Sequence, residues 1–269
     1  MTPSIILHGF KPESSIDTLG IGVFDGFHRG HQAISSQCDT LLSFHPHPAL
    51  VLGKKKDLTY ITLPDELEFF TPHLITLEFS ESTSKLSAED FFNHIILSVL
   101  KPRKIVVGFD FKFGFKQQGT TNLLNEWCDK HSIEFECIEP FQYNNIIVKS
   151  SQIRSLLIND KFNDAIEFLG HDYLIKGTVI QGEGRGKKLG FPTANIKVRE
   201  KKLIPHHGVY AGYVALNERH LPAGIYIGNK PTFENINTSI EVHIINFNQD
   251  LYGQDLNVFL THKIRDDQK

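Results

Sequence analysis

The segment Gly22–His31, with the sequence GVFDGFHRGH, decides how the first half of the chain folds. The apolar run Thr18–Val23 that leads into it predicts a β-strand. The residues from Gln32 onward predict a helix, which is soon followed by a second strand at Leu41–Phe44. A strand, a glycine turn, a helix and a strand make a βαβ unit, and such units hold phosphates at the helix N-terminus. The segment therefore predicts a parallel α/β sheet with an anion-binding turn.

The residue types in this turn favour a nucleotide ligand. Gly22, Gly26 and Gly30 allow the backbone to come close to a ligand. His28 and His31 are three residues apart, so they share one face of a helix that begins at the turn. Two imidazoles beside a helix N-terminus suit an anion whose charge grows during a reaction. The HxxH pattern alone is better explained by a tight turn with two solvated histidines. The glycines and the preceding strand favour the nucleotide site instead.

A second pair of histidines follows the next predicted strand, in Phe44–Pro48 (FHPHP). Its two prolines cannot continue a central strand. Ligands of open α/β sheets bind beyond the carboxyl ends of strands, so this loop is expected to face the Gly22–His31 turn. The four histidines of the two loops could instead form a metal cluster, but their spacing fits no structural zinc pattern well. Phosphate binding is the first hypothesis, and metal binding is the second.

Two later segments also have the character of ligand loops. Lys104–Val107 predicts a strand that leads into Gly108–Gly114 (GFDFKFG), where terminal glycines favour a loop with an aromatic floor over a plain strand. Lys149–Arg154 (KSSQIR) opens a predicted helix with hydroxyls and a guanidinium at its start, which suits a second phosphate. An ordinary serine cap is the plain alternative there.

The pattern changes near Gly170 from alternating strands and helices to strands alone. The strand-like runs are Tyr173–Val179, Asn195–Val198, Val209–Leu216, Gly224–Ile227, Ile240–Phe247 and Leu256–Ile264. They predict an antiparallel barrel or sandwich. Within this half, Gly182–Asn195 (GEGRGKKLGFPTAN) combines four glycines with three cations, as a phosphate cradle or a flexible basic loop would. Thr193 and Asn195 offer hard oxygen ligands for Mg²⁺, and the spacing is not that of a Walker loop.

The composition bounds the class of protein. The 269 residues are 40% hydrophobic and 22% charged, with a formal net charge of -3, so no broad nucleic-acid surface is expected. Three cysteines without a CxxC pair indicate reduced thiols in a cytoplasmic protein. No apolar run approaches the ~20 residues of a membrane span, and the N-terminus lacks a signal-peptide pattern. We expect a cytoplasmic protein with neither nucleic-acid nor membrane partners.

Together these motifs resemble a known family. GVFDGFHRGH, FHPHP, GFDFKFG and KSSQIR, in this order, resemble the adenylyltransferase half of bacterial bifunctional riboflavin kinases/FMN adenylyltransferases (FAD synthetases), which is similar to the HxGH nucleotidyltransferases. GFPTAN, LIPHHGVYA, YIGNKPTF, IEVHI and LYG resemble the riboflavin kinase half. The resemblance implies an α/β protein, with a Rossmann-like domain over residues 1–169 and an antiparallel β-barrel kinase domain over residues 170–269. It also implies that ATP phosphorylates riboflavin to FMN and then adenylylates FMN to FAD.

The resemblance further assigns site residues. In the adenylyltransferase half it implies ATP contacts from Gly22, Phe24, Asp25, Gly26, His28, His31, Ser150, Ser151 and Arg154. In the kinase half it implies ATP contacts from Gly182, Gly184, Gly186, Gly190, Thr193 and Asn195, the last two also holding Mg²⁺. The implied flavin contacts are Pro46, His47, Asp110, Phe111, Phe113 and Arg265. Glu241 is the implied base of the kinase, and His28, His31 and Arg154 are the implied catalytic groups of adenylyl transfer.

Some positions depart from the family pattern. Val23 stands where many members have Asn, Lys149 where Ser is usual, and Asp267 where Glu is usual. The segment His31–Phe44 is short, close to the ~10–12 residues that a βαβ connection needs, and predicts a very short helix. The alternatives are therefore a monofunctional enzyme with one degenerate half, or a non-catalytic flavin-binding protein. The retained catalytic residue types argue against the second.

Overall fold

The computed structural model describes residues 5–12, 15–71, 73–182, 192–231 and 236–267. Its backbone contacts divide the chain into two compact units. The first consists of Met1–Thr59 and Leu63–Lys149, and the second of Tyr60–Thr62 and Ser150–Lys269. The sequence pattern changes at Gly170, whereas the contacts also assign the two helices before that glycine to the second unit.

The first unit is built on a six-stranded sheet. Its strands are β1 (Leu7–His8), β2 (Thr18–Ile21), β3 (Thr40–His45), β4 (Leu74–Glu78), β5 (Lys104–Gly108) and β6 (Glu134–Ile138). They lie in the order β1-β4-β3-β2-β5-β6. Strands β2 to β6 run parallel to one another, and β1 is antiparallel to β4. The predicted parallel α/β sheet is therefore confirmed, with one additional antiparallel edge strand.

Helices connect these strands. The first unit has α1 (Arg29–Ser35), α2 (Pro48–Val51), α3 (Pro64–Leu67), α4 (Ala88–Asp90), a π-helix (Phe91–Leu100), α5 (Thr121–Lys130) and 3₁₀ turns at Thr83–Lys85 and Phe115–Gln117. The hairpin of β7 (Gln142–Tyr143) and β8 (Ile146–Ile147) completes it. The prediction of a very short helix after the first turn is confirmed, because α1 has only seven residues.

Both faces of this sheet are covered. Leu41 and Val106 belong to one core cluster, while their chain neighbours Leu42 and Val107 belong to the other. Side chains alternate between the faces of a strand, so strands buried on both faces read as continuous apolar runs. This is why the central strands could be recognised in the sequence.

The second unit is a closed antiparallel barrel with two helices. The helices are α6 (Ser150–Ile158) and α7 (Phe162–Leu169). The strands are β9 (Tyr173–Ile180), β10 (Ala194–Val198), β11 (Gly208–Leu216), β12 (Arg219–Pro231), β13 (Ile236–Ile244) and β14 (Asp255–Asp266). They close in the order β10-β13-β12-β11-β14-β9, so the barrel alternative is correct and the sandwich alternative is wrong. Closure pairs every strand on both sides and leaves no open edge.

A three-residue segment from the first half of the sequence, Tyr60–Thr62, is part of this second unit. Tyr60 forms a parallel bridge with Lys202, whose ammonium donates to the Ile61 carbonyl at 2.6 Å. The same ammonium lies 4.4 Å from the centroid of the Tyr173 ring. Lys202 is only 6% exposed, so these contacts replace much of the hydration that its charge loses on burial.

Candidate active sites

Three predicted ligand loops of the first unit follow three neighbouring parallel strands. The Gly22–His31 turn follows β2, the loop of Pro46 and His47 follows β3, and Gly108–Gly114 overlaps the end of β5. Because β2 lies between β3 and β5, its turn is flanked by the other two loops at the carboxyl edge of the sheet. This edge is the candidate ligand site of the first unit.

The turn after β2 has an uncommon backbone. Phe24, Gly26 and Phe27 have φ angles of 56°, 89° and 39°, in the left-handed region that disfavours residues with a side chain. The Phe27 amide donates to the Phe24 carbonyl at 2.9 Å, and both aromatic side chains are buried. Their burial holds the strained turn in place, and such strain is concentrated at functional sites. Asp25, another implied ATP contact, is buried in the same turn.

The turn presents two stacked imidazoles. The rings of His28 and His31 lie with centroids 3.7 Å apart and planes 18° apart, and the Phe24 ring meets His31 edge-on at 5.3 Å. The His31 Nδ1 atom is buried and has no hydrogen-bond partner among the residues that the structure describes. A buried polar atom of this kind is costly unless a ligand or water satisfies it. Gly30 leaves room for the His28 ring, since a Cβ at residue 30 would lie 3.2 Å from His28 Cε1.

Burial lowers the pKa of His31 well below its ordinary value of 6.5, and the adjacent His28 lowers it further. His31 is therefore harder to protonate in the folded state than in the unfolded chain, where it binds a proton below pH 6.5. The free energy of unfolding consequently decreases as the pH drops below 6.5, by at most ~1.4 kcal/mol per pH unit for one group.

We expect His31→Gln to weaken this pH dependence. Urea unfolding followed by the fluorescence of Trp127, the single tryptophan, reports on the first unit. Between pH 7 and pH 5 the wild type should lose more stability than the variant, because the variant has no imidazole to protonate. Equal losses in the two proteins would contradict the burial of a neutral His31.

The predicted flavin residues of the first unit occupy contrasting surroundings. Asp110 is exposed just beyond β5, in the loop at the carboxyl edge. Phe113 is only 6% exposed and packs on Phe91 and Trp127 in the core, with ring centroids 5.6 and 6.0 Å away. Phe109, the first of the three alternating phenylalanines, is 38% exposed in the same loop. Phe113 is therefore a core residue and does not belong to an exposed aromatic surface.

Two of the other predicted flavin residues, Phe111 and His47, make contacts within the fold. Phe111 stacks on the buried Phe113, with centroids 5.6 Å apart. Pro46 is exposed after β3. The Nδ1 atom of His47 accepts the Ala49 amide at 3.0 Å, which caps α2.

The residues of the KSSQIR motif lie on α6. Ser150 and Ser151 begin this helix, and Arg154 follows one turn later. Backbone contacts assign α6 to the second unit, whereas both histidines of the turn belong to the first. The roles of these three residues in ATP binding remain predictions.

In the barrel, strand register brings three of the predicted kinase residues, Asn195, Glu241 and Arg265, into one row. Asn195 on β10 is directly opposite Glu241 on β13, which is directly opposite Tyr226 on β12. Tyr226 pairs with Val209 on β11, and Val209 pairs with Arg265 on β14. Residues directly opposite one another point to the same face of a sheet. Their neighbours along the strands, such as Ile225 and Val242, are buried in the barrel. The row therefore lies on the outer face.

Oxygen atoms gather at one end of this row. The Thr193 hydroxyl donates to Glu241 Oε2 at 3.2 Å, and a hydroxyl used as a donor keeps its lone pairs for a cation. Asn195 is buried, and a Cβ at Gly182 would lie 2.0 Å from its Nδ2 atom. Gly182 is thus needed to admit the amide. The other predicted cradle glycines, Gly184, Gly186 and Gly190, lie outside the described residues.

Beside Thr193 is a cavity of about 370 Å³. Apolar and aromatic side chains such as Val179, Phe247 and Tyr252 line it together with the polar side chains of Asn248, Gln249 and Asp250. A cavity of this size has room for a small heterocycle.

Tyr226 is the site residue that sequence reasoning missed. Its hydroxyl donates to Asp267 Oδ1 at 3.1 Å, and burial raises the pKa of the phenol, aided by Asp267 and then by Glu241. The motif YIGNKPTF is recognisable as a whole, but nothing in it singles out its tyrosine. Only the register between β12 and β13 shows that it faces Glu241.

One group of three possible metal ligands occurs among the described residues. It consists of Asp160, His206 and Asp266, and does not include the four histidines considered as a metal cluster. The Lys263 ammonium donates to both carboxylates of this group, so a cation already neutralises them.

Comparisons with known proteins match both halves of the chain. The FAD synthetase model matches residues 11–152, and the riboflavin kinase model matches residues 169–269. A relative from Buchnera aphidicola subsp. Schizaphis graminum, described as a bifunctional riboflavin kinase/FMN adenylyltransferase, is 34% identical over 97% of this chain and 89% of its own. The chain belongs to the bifunctional riboflavin kinase/FMN adenylyltransferase family.

Other members of this bifunctional riboflavin kinase/FMN adenylyltransferase family match to a similar extent. The Escherichia coli K12 protein is 30% identical over 93% of this chain and 85% of its own. The Bacillus subtilis 168 protein is 32% identical over 97% and 88%. A crystal structure from Streptococcus pneumoniae, described as a macrolide-efflux protein, has a TM-score of 0.82 and 28% identity over 95% of this chain and 88% of that one. In the part of the family member described here, no helix has the length and hydropathy to cross a membrane.

Proposed function

We propose that this chain makes FAD in two steps, with each step at a separate site. The barrel phosphorylates riboflavin to FMN with ATP, and the parallel-sheet unit adenylylates FMN to FAD with release of pyrophosphate. The observation that carries the proposal is the row of Asn195, Glu241, Tyr226 and Arg265, because it places a carboxylate between a set of oxygen ligands and a cation. Membership of the bifunctional family supports both steps.

In the kinase step, Glu241 accepts the proton of the riboflavin 5′-hydroxyl, whose oxygen attacks the γ-phosphate of ATP. Phosphoryl transfer asks the protein mainly to position the nucleophile and to neutralise charge. The Thr193 hydroxyl donates to the Glu241 carboxylate and so orients it. The base of ATP has room in the cavity beside Thr193, and Arg265 stands at the flavin end of the row.

Thr193 and Asn195 fit Mg²⁺ because they offer hydroxyl and amide oxygens without a sulfur or imidazole ligand. When bound, Mg²⁺ offsets the negative charge of the ATP phosphates. The hydroxyl–carboxylate contact at 3.2 Å and the room that Gly182 leaves for the amide support this assignment.

We expect Thr193→Val to raise the Mg²⁺ concentration needed for half-maximal kinase activity by about tenfold, since one oxygen ligand is lost. Thr193→Ser keeps the hydroxyl and is the matched control, with near wild-type dependence. Titration of FMN formation with Mg²⁺ measures both. An unchanged Mg²⁺ requirement in the valine variant would remove Thr193 from the metal site.

In the adenylyl step, the FMN phosphate attacks the α-phosphate of ATP, and pyrophosphate leaves. FMN brings its own ionised nucleophile, so the protein needs no serine or cysteine nucleophile. His28 and His31 would donate to phosphate oxygens whose charge increases in the transition state. The buried Nδ1 atom of His31 supports this role, while the contributions of Ser150, Ser151 and Arg154 are carried over from the family.

The test is an incubation of the purified chain with riboflavin, ATP and Mg²⁺, analysed over time for flavins. FMN should appear first and FAD later, and supplied FMN should give FAD and pyrophosphate in equal amounts. Formation of FMN without FAD would indicate a monofunctional riboflavin kinase. Binding of flavin without consumption of ATP would indicate a non-catalytic binding protein and would refute the proposal.

A further inference from the structure

Tyr226 lies between the two charged groups of the kinase row. Glu241 is directly opposite it on one side, and Val209, the partner of Arg265, is directly opposite it on the other. All of these positions share the outer face of the barrel. The phenol ring is thus the largest side chain between the carboxylate and the guanidinium in this row.

The ring lies along its own strand. A Cβ at Gly228 would lie 2.2 Å from the Tyr226 hydroxyl oxygen and 2.4 Å from Cζ. Residues two apart on a strand point to the same face, so the phenol passes over Gly228. The absence of a side chain at that glycine leaves the space that the hydroxyl occupies. At that point the hydroxyl donates to Asp267 Oδ1, which lies two residues beyond Arg265.

The surrounding charges keep the phenol a donor. Burial is the main cause of its raised pKa, followed by the hydrogen bond to Asp267 and the nearby Glu241 carboxylate. Arg265 acts in the opposite direction, which shows that its field also reaches the ring. The phenol is therefore protonated at neutral pH and within the influence of both charged groups.

We propose that Tyr226 is a positioning residue of the kinase reaction, which holds Asp267 at the flavin end of the row. This inference rests on the proposed kinase function of the barrel. The hydrogen bond to Asp267 fixes the end of the strand that carries Arg265, and so it bears on riboflavin binding.

The experiment compares two substitutions that remove different parts of the side chain. Tyr226→Phe keeps the ring but releases Asp267, so the riboflavin KM should rise about threefold to tenfold with kcat nearly unchanged. Tyr226→Ala removes the hydroxyl together with the ring, so the riboflavin KM should rise at least as far as in Tyr226→Phe.

Two further variants separate this role from general stability. Tyr213→Phe removes another phenol–carboxylate bond of the barrel, to Asp172, and should leave riboflavin KM and kcat at wild-type values. Gly228→Ala displaces the Tyr226 hydroxyl without changing any polar group, and should raise riboflavin KM as Tyr226→Phe does. The conversion of FMN to FAD by each protein reports on the other unit and should stay constant.

A wild-type riboflavin KM in Tyr226→Phe and Tyr226→Ala would overturn the inference, as would equal effects of Tyr226→Phe and Tyr213→Phe. Those results, with an active wild type, overturn this inference alone. If the wild type does not phosphorylate riboflavin, the proposed function itself fails, and this inference fails with it.

Discussion

His31→Ala should abolish the formation of FAD from FMN and leave the phosphorylation of riboflavin nearly intact. The ring stacks on His28 with its Nδ1 atom buried in the turn after β2, where it can donate to a phosphate. Removal of one donor that stabilises transition-state charge typically costs about 10²–10³ in turnover. The kinase residues belong to the other unit, so their activity should not depend on this imidazole.

The measurement is the initial rate of FAD formation from supplied FMN, with FMN formation from riboflavin followed in the same preparation. His94→Ala is the matched control, because His94 is a half-exposed histidine on the π-helix of the same unit. The control should keep both activities. A folded His31→Ala protein that loses both activities, or that keeps both, would contradict the model of two independent sites.

Glu241→Gln should lower riboflavin phosphorylation by about 10²–10⁴-fold, the usual contribution of a general base. The amide keeps the shape of the carboxylate and still accepts the Thr193 hydroxyl, but it cannot take a proton. Riboflavin and ATP should still bind, because Thr193 and Asn195 are unchanged. Conversion of FMN to FAD should persist.

Initial FMN formation at saturating substrates measures this effect, with the fold checked by circular dichroism. Glu200→Gln, at an exposed position of the same unit, is the matched control and should retain full activity. If Glu241→Gln phosphorylates riboflavin as fast as the wild type, then Glu241 is a strand carboxylate without a catalytic role, and another base must act.

The central strands of the first unit were predictable because burial on both faces produces continuous apolar runs. The neighbours Leu41 and Leu42 enter different core clusters, and both must therefore be apolar. The short length of α1 followed from chain length alone, since few residues separate the turn from the next strand. The local sequence was sufficient to predict these elements.

Other features depend on partners that are distant in the sequence. Tyr226 acquires its place only from the register with Glu241, and Tyr60 joins the second unit through Lys202. Alternating phenylalanines predicted an aromatic floor, but Phe113 packs into the core because Phe91 and Trp127 provide an apolar partner there. A period in the sequence shows which residues share a face, but it does not show what covers that face.

The central claim is that two separate sites act in turn on a released intermediate, and mixing the two inactive variants tests it most directly. From riboflavin, ATP and Mg²⁺, His31→Ala alone should accumulate FMN, and Glu241→Gln alone should form little product. Together they should make FAD, because FMN from the first protein reaches the intact adenylyltransferase site of the second. A mixture that forms no FAD from riboflavin, although each variant keeps its remaining activity, would contradict the account.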